Sequence, residues 1–369
     1  MTELARLEDR YGDFYVPAFK VTVGGEDVVR DLFLTVTAAD VDLKEKMAGR
    51  FNFTVANAFD WERRAFISDA GGSEIDLIEL FAFGASIELY FGYGDPTGLT
   101  SLLKGMVTEV STSFKEGNSP ELTVSGYDSL YPLVNGKSTR HWEDARDSDA
   151  VSDIVAITQM RTDIRSTDPL KRRIDQSQEA DIAFLTKLAE RNGATFYARD
   201  GAFYFGPRRN TESEAIKLAW GKGLLTFNPE AKLTQQLKTV EVHGWSESGE
   251  AVVGSATQGD ETGRDTGRNS GAERVAAAVN TEPAMRVRAS VHSQSEAQAR
   301  ARAILEERAQ QFVSGDGDCI GLPDIVPDMN IALEDLGTTF SKTYYVTGAR
   351  HTVDGNGYRT SFDVKETTL

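Results

Sequence analysis

Apolar side chains fall at every second position through much of the first 130 residues, the spacing of half-buried strands. Residues 14–23 and 28–38 are β-branched and aromatic runs parted by Gly24-Gly25, a hairpin signal. Residues 51–55 alternate apolar and polar, and so do 86–93, where Ile87, Leu89 and Phe91 share a face. Beyond a Gly/Pro turn at 92–98, strands are predicted at 103–114 and 121–127, around a turn at 115–120. Core packing is the expected role of these aromatic and branched residues.

The period then changes. Val151, Ile154, Val155 and Thr158 at helical spacing predict a helix over 148–158, with Asp147 or Ser148 as N-cap. A linker containing Asp168-Pro169 leads to a second helix over 178–192, with a stripe of Ile182, Leu185, Leu188 and Ala189 and a stop at Asn192-Gly193. A hairpin follows, 194–199 and 202–206 around Asp200-Gly201. Residues 233–245 read as a long strand. Residues 247–283 hold no aromatic side chain and read as a mobile loop or insertion. A strand at 285–291 precedes Ser293-Gln294-Ser295-Glu296, a capping box opening a helix to about 313. Ala297, Ala301, Leu305, Ala309 and Phe312 form its stripe, and the alanines predict close approach to a sheet or helix. Glu296 and Arg300 stand in the favourable i, i+4 order. Strands are predicted at 329–333, 343–353 and 357–365, the last two joined by Asp354-Gly355-Asn356-Gly357.

The chain echoes itself. Residues 86–89, 103–114 and 121–128 are one strand, a Gly-containing loop and a long hairpin; 330–333, 343–353 and 359–365 repeat that order. Two related β-domains are the natural reading, and chance similarity of β-patterns the alternative. The expected class is mainly β (α+β). The expected organisation is a first β-domain at 1–135, an α/β insert at 136–215, linking strands at 216–246, a flexible loop at 247–284, and a second β-domain with its long helix at 285–369.

Composition narrows the function classes. The chain has 369 residues, 40 Lys and Arg against 57 Asp and Glu, and a formal charge of −17. That disfavours specific nucleic-acid binding through a basic face and docking on an anionic membrane. The single cysteine, Cys319, excludes an intrachain disulfide framework. The four histidines (His141, His243, His292, His351) lack ligand spacing, so no metal site is expected. No run of 18 apolar residues occurs, so no membrane anchor is expected. The first residues lack the basic and apolar regions of a signal peptide, and assembly in a cytoplasm is the expectation.

No motif rises above an ordinary structural role. Asn135-Gly136-Lys137-Ser138-Thr139 ends like a phosphate loop, but the required first glycine is Tyr131. Gly244-Trp245-Ser246-Glu247-Ser248 lacks the second glycine of a nucleophile elbow. Gly92-Tyr93-Gly94 lacks the third glycine of a dinucleotide fingerprint. Asp316-Gly317-Asp318 and Asp354-Gly355-Asn356 lack the glutamate spacing of a calcium loop. Cys319 as a nucleophile needs a nearby histidine; His351 is one that folding could bring there, but a lone cysteine in a strand is more often packed. No catalytic, cofactor-binding or metal residue is therefore assigned, and an enzyme is not expected.

Several segments together resemble the late control D proteins, the baseplate hubs of contractile phage tails. Phe14-Tyr15-Val16-Pro17-Ala18-Phe19 through Asp60 is similar to that family's start, with its hairpin at Val21-Thr22-Val23-Gly24-Gly25 and a strand like Phe51-Asn52-Phe53-Thr54-Val55. Val124-Ser125-Gly126-Tyr127-Asp128 followed by Asp147-Ser148-Asp149-Ala150-Val151 resembles the exit from its first β-domain. Residues 176–206, with Phe184-Leu185-Thr186-Lys187-Leu188-Ala189-Glu190, also resemble the hub part of VgrG proteins of type VI secretion. The helix at 293–313, Leu322-Pro323 and Tyr344-Tyr345-Val346 resemble the family's C-terminal half; only about 247–284 is uncovered.

The resemblance implies a non-enzymatic homotrimer with two tube-like β-barrel domains per chain. It implies a ring that adapts a trimeric spike to a hexameric tube, in the baseplate of a phage tail or contractile injection particle. The implied partners are a separate spike protein, expected because the last predicted strand ends near Leu369, an inner tube or tube-initiator protein, and other baseplate subunits. The alternatives are a tail-associated cell-wall hydrolase and a glycan-binding β-protein.

Overall fold

The computed structural model describes residues 4–70, 73–117, 119–246, 248–259, 270–279 and 282–369. A first unit begins with helix α1 (Leu4–Tyr11) and strands β1 (Pro17–Val23), β2 (Glu26–Asp27), β3 (Thr35–Lys44), β4 (Arg50–Ala56), β5 (Ile67–Ala70) and β6 (Ser73–Asp76). Helix α2 (Leu77–Leu80) and strands β7 (Ser86–Tyr93), β8 (Thr100–Thr112) and β9 (Leu122–Asp128) complete it. Its main strands lie in the order β1-β7-β8-β9-β4-β3, each pair antiparallel. The predicted alternation is met: Phe51, Phe53 and Val55 of β4 and Leu122 and Val124 of β9 point into the core. The strand expected at 28–38 starts only at Thr35. Asp27 explains this, because its carboxylate accepts the Val29 and Arg30 N–H groups and folds the chain into a turn.

An α/β insert follows. It holds α3 (Tyr131–Val134), β10 (Ser138–Ala145), α4 (Asp147–Val155), β11 (Arg161–Ile164), β12 (Lys171–Glu179), α5 (Asp181–Arg191), β13 (Ala194–Arg199) and β14 (Ala202–Pro207). Its core is separate from the one that runs continuously through the β-strands before and after it, and centres on Val151, Ile154, Leu185, Leu188, Phe196 and Phe205. Neither expected N-cap of α4 is used. The cap position is Arg146, whose N–H donates to Asp149 at 2.7 Å, while the Asp147 carboxylate is drawn inward by Lys171 and Arg191. Helix α5 starts at Asp181 rather than 178 because the preceding residues pair with β10.

The chain continues through β15 (Ile216–Trp220) and β16 (Gly223–Ala231), then an excursion of β17 (Thr239–Trp245), β18 (Ala251–Thr257), α6 (Gly271–Val279), β19 (Ala284–Arg288) and α7 (Gln294–Ala309). Strands β20 (Val313–Ile320) and β21 (Met329–Glu334), helix α8 (Gly337–Phe340), and strands β22 (Lys342–Asp354) and β23 (Gly357–Glu366) finish the fold. The order β15-β21-β22-β23-β20-β16 closes when β16 returns to β15, giving a six-stranded barrel.

Six strands therefore occur twice, in the same chain order and the same neighbour order: β1, β3, β4, β7, β8, β9 and β15, β16, β20, β21, β22, β23. Even a bulge recurs near the start of the second strand of each set, between Val36 and Ala38 and between Leu224 and Thr226. Two differences remain. Strand β15 runs parallel to β21 where β1 runs antiparallel to β7, and the first set stays open, handing β3 to β22 of the second. The fold is mainly β, as the alternation predicts.

Two further expectations need correction. Residues 313–320 form β20, so the chain is already extended at Val313, where the helix is expected to end. Gly315 and Gly317 sit where a Cβ would come within 2.9 Å of the Phe227 ring and 2.7 Å of the Phe362 ring, so neighbouring aromatics fill the inward space. The stretch 247–284 holds a strand and a helix among its described residues; 247, 260–269 and 280–281 lie outside them. Strand β18 is hidden in sequence because its inward residues are small. At Gly254 a Cβ would meet the Ala297 carbonyl carbon at 2.1 Å, since α7 lies directly on the strand, the close approach its alanines predict. Gln294 and Gln298 of α7 close the outer edge of β18. Their amides donate to the Val253 and Ser255 carbonyls at 2.6 Å, and Gln298 accepts the Ser255 N–H.

Candidate functional site

The two β-units meet along β3 and β22, from Gly348 opposite Lys44 to Val353 opposite Ala39. Buried Asp40 fastens this pairing. Its carboxylate accepts Arg350 Nε and Thr352 Oγ1, both at 2.7 Å, and Asn52 Nδ2 at 3.3 Å. The face of the sheet away from the core is polar across both units. Thr226, Asp318, Ser361, Arg350, Asp42 and Arg50 stand in register on six successive strands. A second row runs through Asn228, Asp316, Asp363, Gly348 and Lys44. Cross-strand hydrogen bonds hold these rows, Thr226 to Asp318 at 2.8 Å, Ser361 to Asp318 at 2.6 Å and Asn228 to Asp316 at 2.9 Å.

A buried polar knot ties the units to the insert. Tyr345 donates to Glu45 at 2.9 Å or Asp328 at 3.0 Å, Tyr197 reaches Asp328 at 3.1 Å, and Thr195 reaches Glu45 at 2.8 Å. Arg208 pairs with Glu307 of α7 at 2.5 Å, and Lys46 lies 3.6 Å from the same carboxylate. Burial opposes the Glu307 charge, but Arg208 and Lys46 overcome it and hold the carboxyl at about 2. Burial pushes Asp328 upward against the bonds from Arg209, Tyr345 and Tyr197. These charges are paired and bonded, an arrangement that fixes geometry rather than doing chemistry.

The motif residues fall into structural places. Gly136 to Thr139 lead into β10, Gly92 and Tyr93 end β7, and Tyr93 donates to the Gly321 carbonyl at 2.9 Å. Ser246 and Ser248 close the β17–β18 turn, and Asp354 caps the last turn by accepting the Asn356 N–H. Cys319 and His351 flank Thr360 on adjacent strands without touching each other: the thiol donates to the Thr360 carbonyl at 3.4 Å, and His351 Nδ1 lies 3.1 Å from Thr360 Oγ1. Both are fully buried, and burial pushes the thiol up and the imidazole down to about 4. Among the described residues no group of three His, Cys, Asp or Glu could hold a metal, and no helix is long and apolar enough to cross a membrane.

Sequence reasoning missed two features. A cleft of about 270 Å³ lies between β8 and the β13–β14 turn, lined by Leu43, Ser101, Lys104, Asp128 and Arg199. On its floor Asp128, 5% exposed, accepts the Gly49 N–H at 2.8 Å and the Leu130 N–H at 2.9 Å without a cation, and burial pushes its carboxyl up to about 7. No local pattern marks this residue. The second feature is a set of exposed aromatics, Phe33, Trp61, Phe83 and Phe114, on loops that the strand order places at one end of the first unit.

A family model described as "Alg8 N-terminal domain" matches residues 71–355. A protein of Escherichia phage 186 named "Probable baseplate hub protein" is 28% identical over 206 residues, 53% of this chain and 46% of that protein, so the match spans about half of the relative's length. The 43 kDa tail protein of prophage MuSo2 from Shewanella oneidensis superposes with a TM-score of 0.68 at 12% identity, over 94% of this chain and 98% of that one. An Escherichia coli protein described as a component of the type VI secretion system gives a TM-score of 0.58 at 13% identity, over 94% of this chain and 76% of that one. These solved structures share the fold. The resemblance to tail baseplate hubs and to type VI relatives, read from the sequence, is thereby met.

Proposed function

We propose that this chain, which belongs to the Alg8 N-terminal domain family, is the structural hub of a contractile injection machine or phage tail. It works as a homotrimeric adaptor between a central spike and a hexameric inner tube. The observation that carries this reading is the doubled six-strand order. Three chains bring six similar β-units around one axis, matching threefold symmetry on one side and sixfold on the other. The hub-named relative supports the same role. The partners are a separate spike protein, a tube or tube-initiator protein and other baseplate subunits. Assembly takes place in the bacterial cytoplasm, and the hub has no enzymatic activity.

Ring formation of this kind calls for an obligate interface of more than about 2,000 Å². The polar rows through Asp318 and Asp316 suit the wall of the channel, because hydrated, mixed-charge strands with an acidic excess do not hold anionic cargo. Electron microscopy of the assembled ring tests this. Six β-units around a threefold axis, with Asp316 and Asp363 facing the lumen, are expected. A ring with these residues on its outer surface contradicts the assignment of the wall.

A further inference from the structure

The segment before β12, the end of α5 and the β19–α7 corner enclose a cleft of about 210 Å³ lined by Lys171, Arg191, Ser290, Glu296 and Arg300. One water occupies about 30 Å³ of liquid, so a four-oxygen anion fits. Three cations converge here in a chain of net charge −17. Asp168 and Glu296 are the carboxylates that line the cleft, and buried Asp147 lies behind its cations; all three are already engaged, Asp168 by Arg146 at 2.5 Å. Asp147 accepts Lys171 at 2.7 Å, Arg191 Nε at 2.8 Å and through a second nitrogen, and Asn192 at 2.7 Å. Glu296 accepts the His292 N–H at 2.9 Å and lies 3.5 Å from Lys171.

Glu296 is therefore turned away from Arg300, the helical partner its spacing predicts. Among the described residues Arg300 makes no hydrogen bond or ion pair, although it is only partly exposed. Burial and the repulsion of Arg191 work against its charge and outweigh the attraction of Glu190 and Asp147, neither of which pairs with it. A guanidinium left unpaired beside another, in a cleft of ligand size, lacks an anion. We infer that this cleft binds an oxyanion group, a carboxylate or a phosphate, between the guanidinium groups of Arg300 and Arg191.

The test is calorimetric titration of the purified full chain with inorganic phosphate and, separately, with a capped tripeptide carrying one aspartate. Arginine Nε–H resonances are followed in parallel. At least one probe is expected to bind saturably. Arg300→Gln should weaken that binding about tenfold or more, the loss expected for one charge-assisted contact. Arg300→Lys, which keeps charge without the planar fork, should weaken it less, and Arg288→Gln on exposed β19 should leave it unchanged. Tighter phosphate binding identifies a phosphate ligand, and tighter peptide binding a protein carboxylate. The inference is overturned if neither probe binds, or if Arg300→Gln binds as the native chain does. Circular dichroism checks the fold of each variant. If the glutamine variant does not fold, the lysine variant and the native Arg300 resonance decide, and a resonance unmoved by either probe overturns the site.

Discussion

Asp128 gives the fold a pH dependence whose sign is fixed by structure. Its carboxylate is buried, bonded to two backbone N–H groups and free of any cation among the described residues, so burial raises it from 3.8 to about 7. Between those values the folded chain holds a proton that the unfolded chain releases. Stability from this group is therefore complete below about pH 4 and is lost as pH rises through 7. Integrated from pH 5 to pH 8, the loss is about 2.5 kcal/mol. Asp128→Asn removes the titration but turns an amide N–H₂ toward a backbone donor, a fixed cost of about 1–3 kcal/mol. The variant should be less stable than the native chain at pH 5, and the gap should close or reverse by pH 8. Urea unfolding followed by circular dichroism at pH 5, 6, 7 and 8 measures this. A stability difference that is the same at every pH would refute the reasoning.

His351 acts on the acid side. Its Nε2 lies 3.0 Å from the Ile325 carbonyl, which can only accept, so Nε2 carries the proton and Nδ1 accepts from Tyr358. Burial lowers it from 6.5 to about 4, so its contribution is present above pH 6.5 and lost as pH falls through 4, up to about 3 kcal/mol. Urea midpoints of a His351→Gln variant should fall less between pH 6.5 and 4 than those of the native chain; equal falls count against this account. Gly254→Ala forces a methyl onto the Ala297 backbone and should cost more than about 2 kcal/mol, visible as a lowered Tm. An unchanged Tm would show that α7 moves aside freely.

The legible parts of the fold were those whose inward positions are large and apolar. Strand β4, with Phe51, Phe53 and Val55, strand β7, with Ile87, Leu89 and Phe91, and the β13–β14 hairpin stood out for that reason. The Ser293 cap was legible because capping is local chemistry, and its hydroxyl accepts the Glu296 N–H at 3.1 Å. Strands β12, β18 and β20 were not. They bury Ile174 and Gln176, Val252 and Gly254, and Gly317 and Cys319, because bulky neighbours or a helix supply the missing volume. The knot of Glu45, Tyr197, Asp328 and Tyr345 joins residues 300 positions apart, and no local pattern encodes it. The echo of three strands was legible, but β1, β3 and β4 and their counterparts β15, β16 and β20 were not, because the β17–α7 excursion parts β16 from β20, and the match became visible only as sheet order.

The central claim is that the two β-units exist to turn three chains into a sixfold ring. Native mass spectrometry of the purified chain, alone and with its spike protein, tests it most directly. The account predicts a complex of three chains, about three times 40.4 kDa, that takes up one spike assembly. A chain that stays at 40.4 kDa in both settings would contradict it.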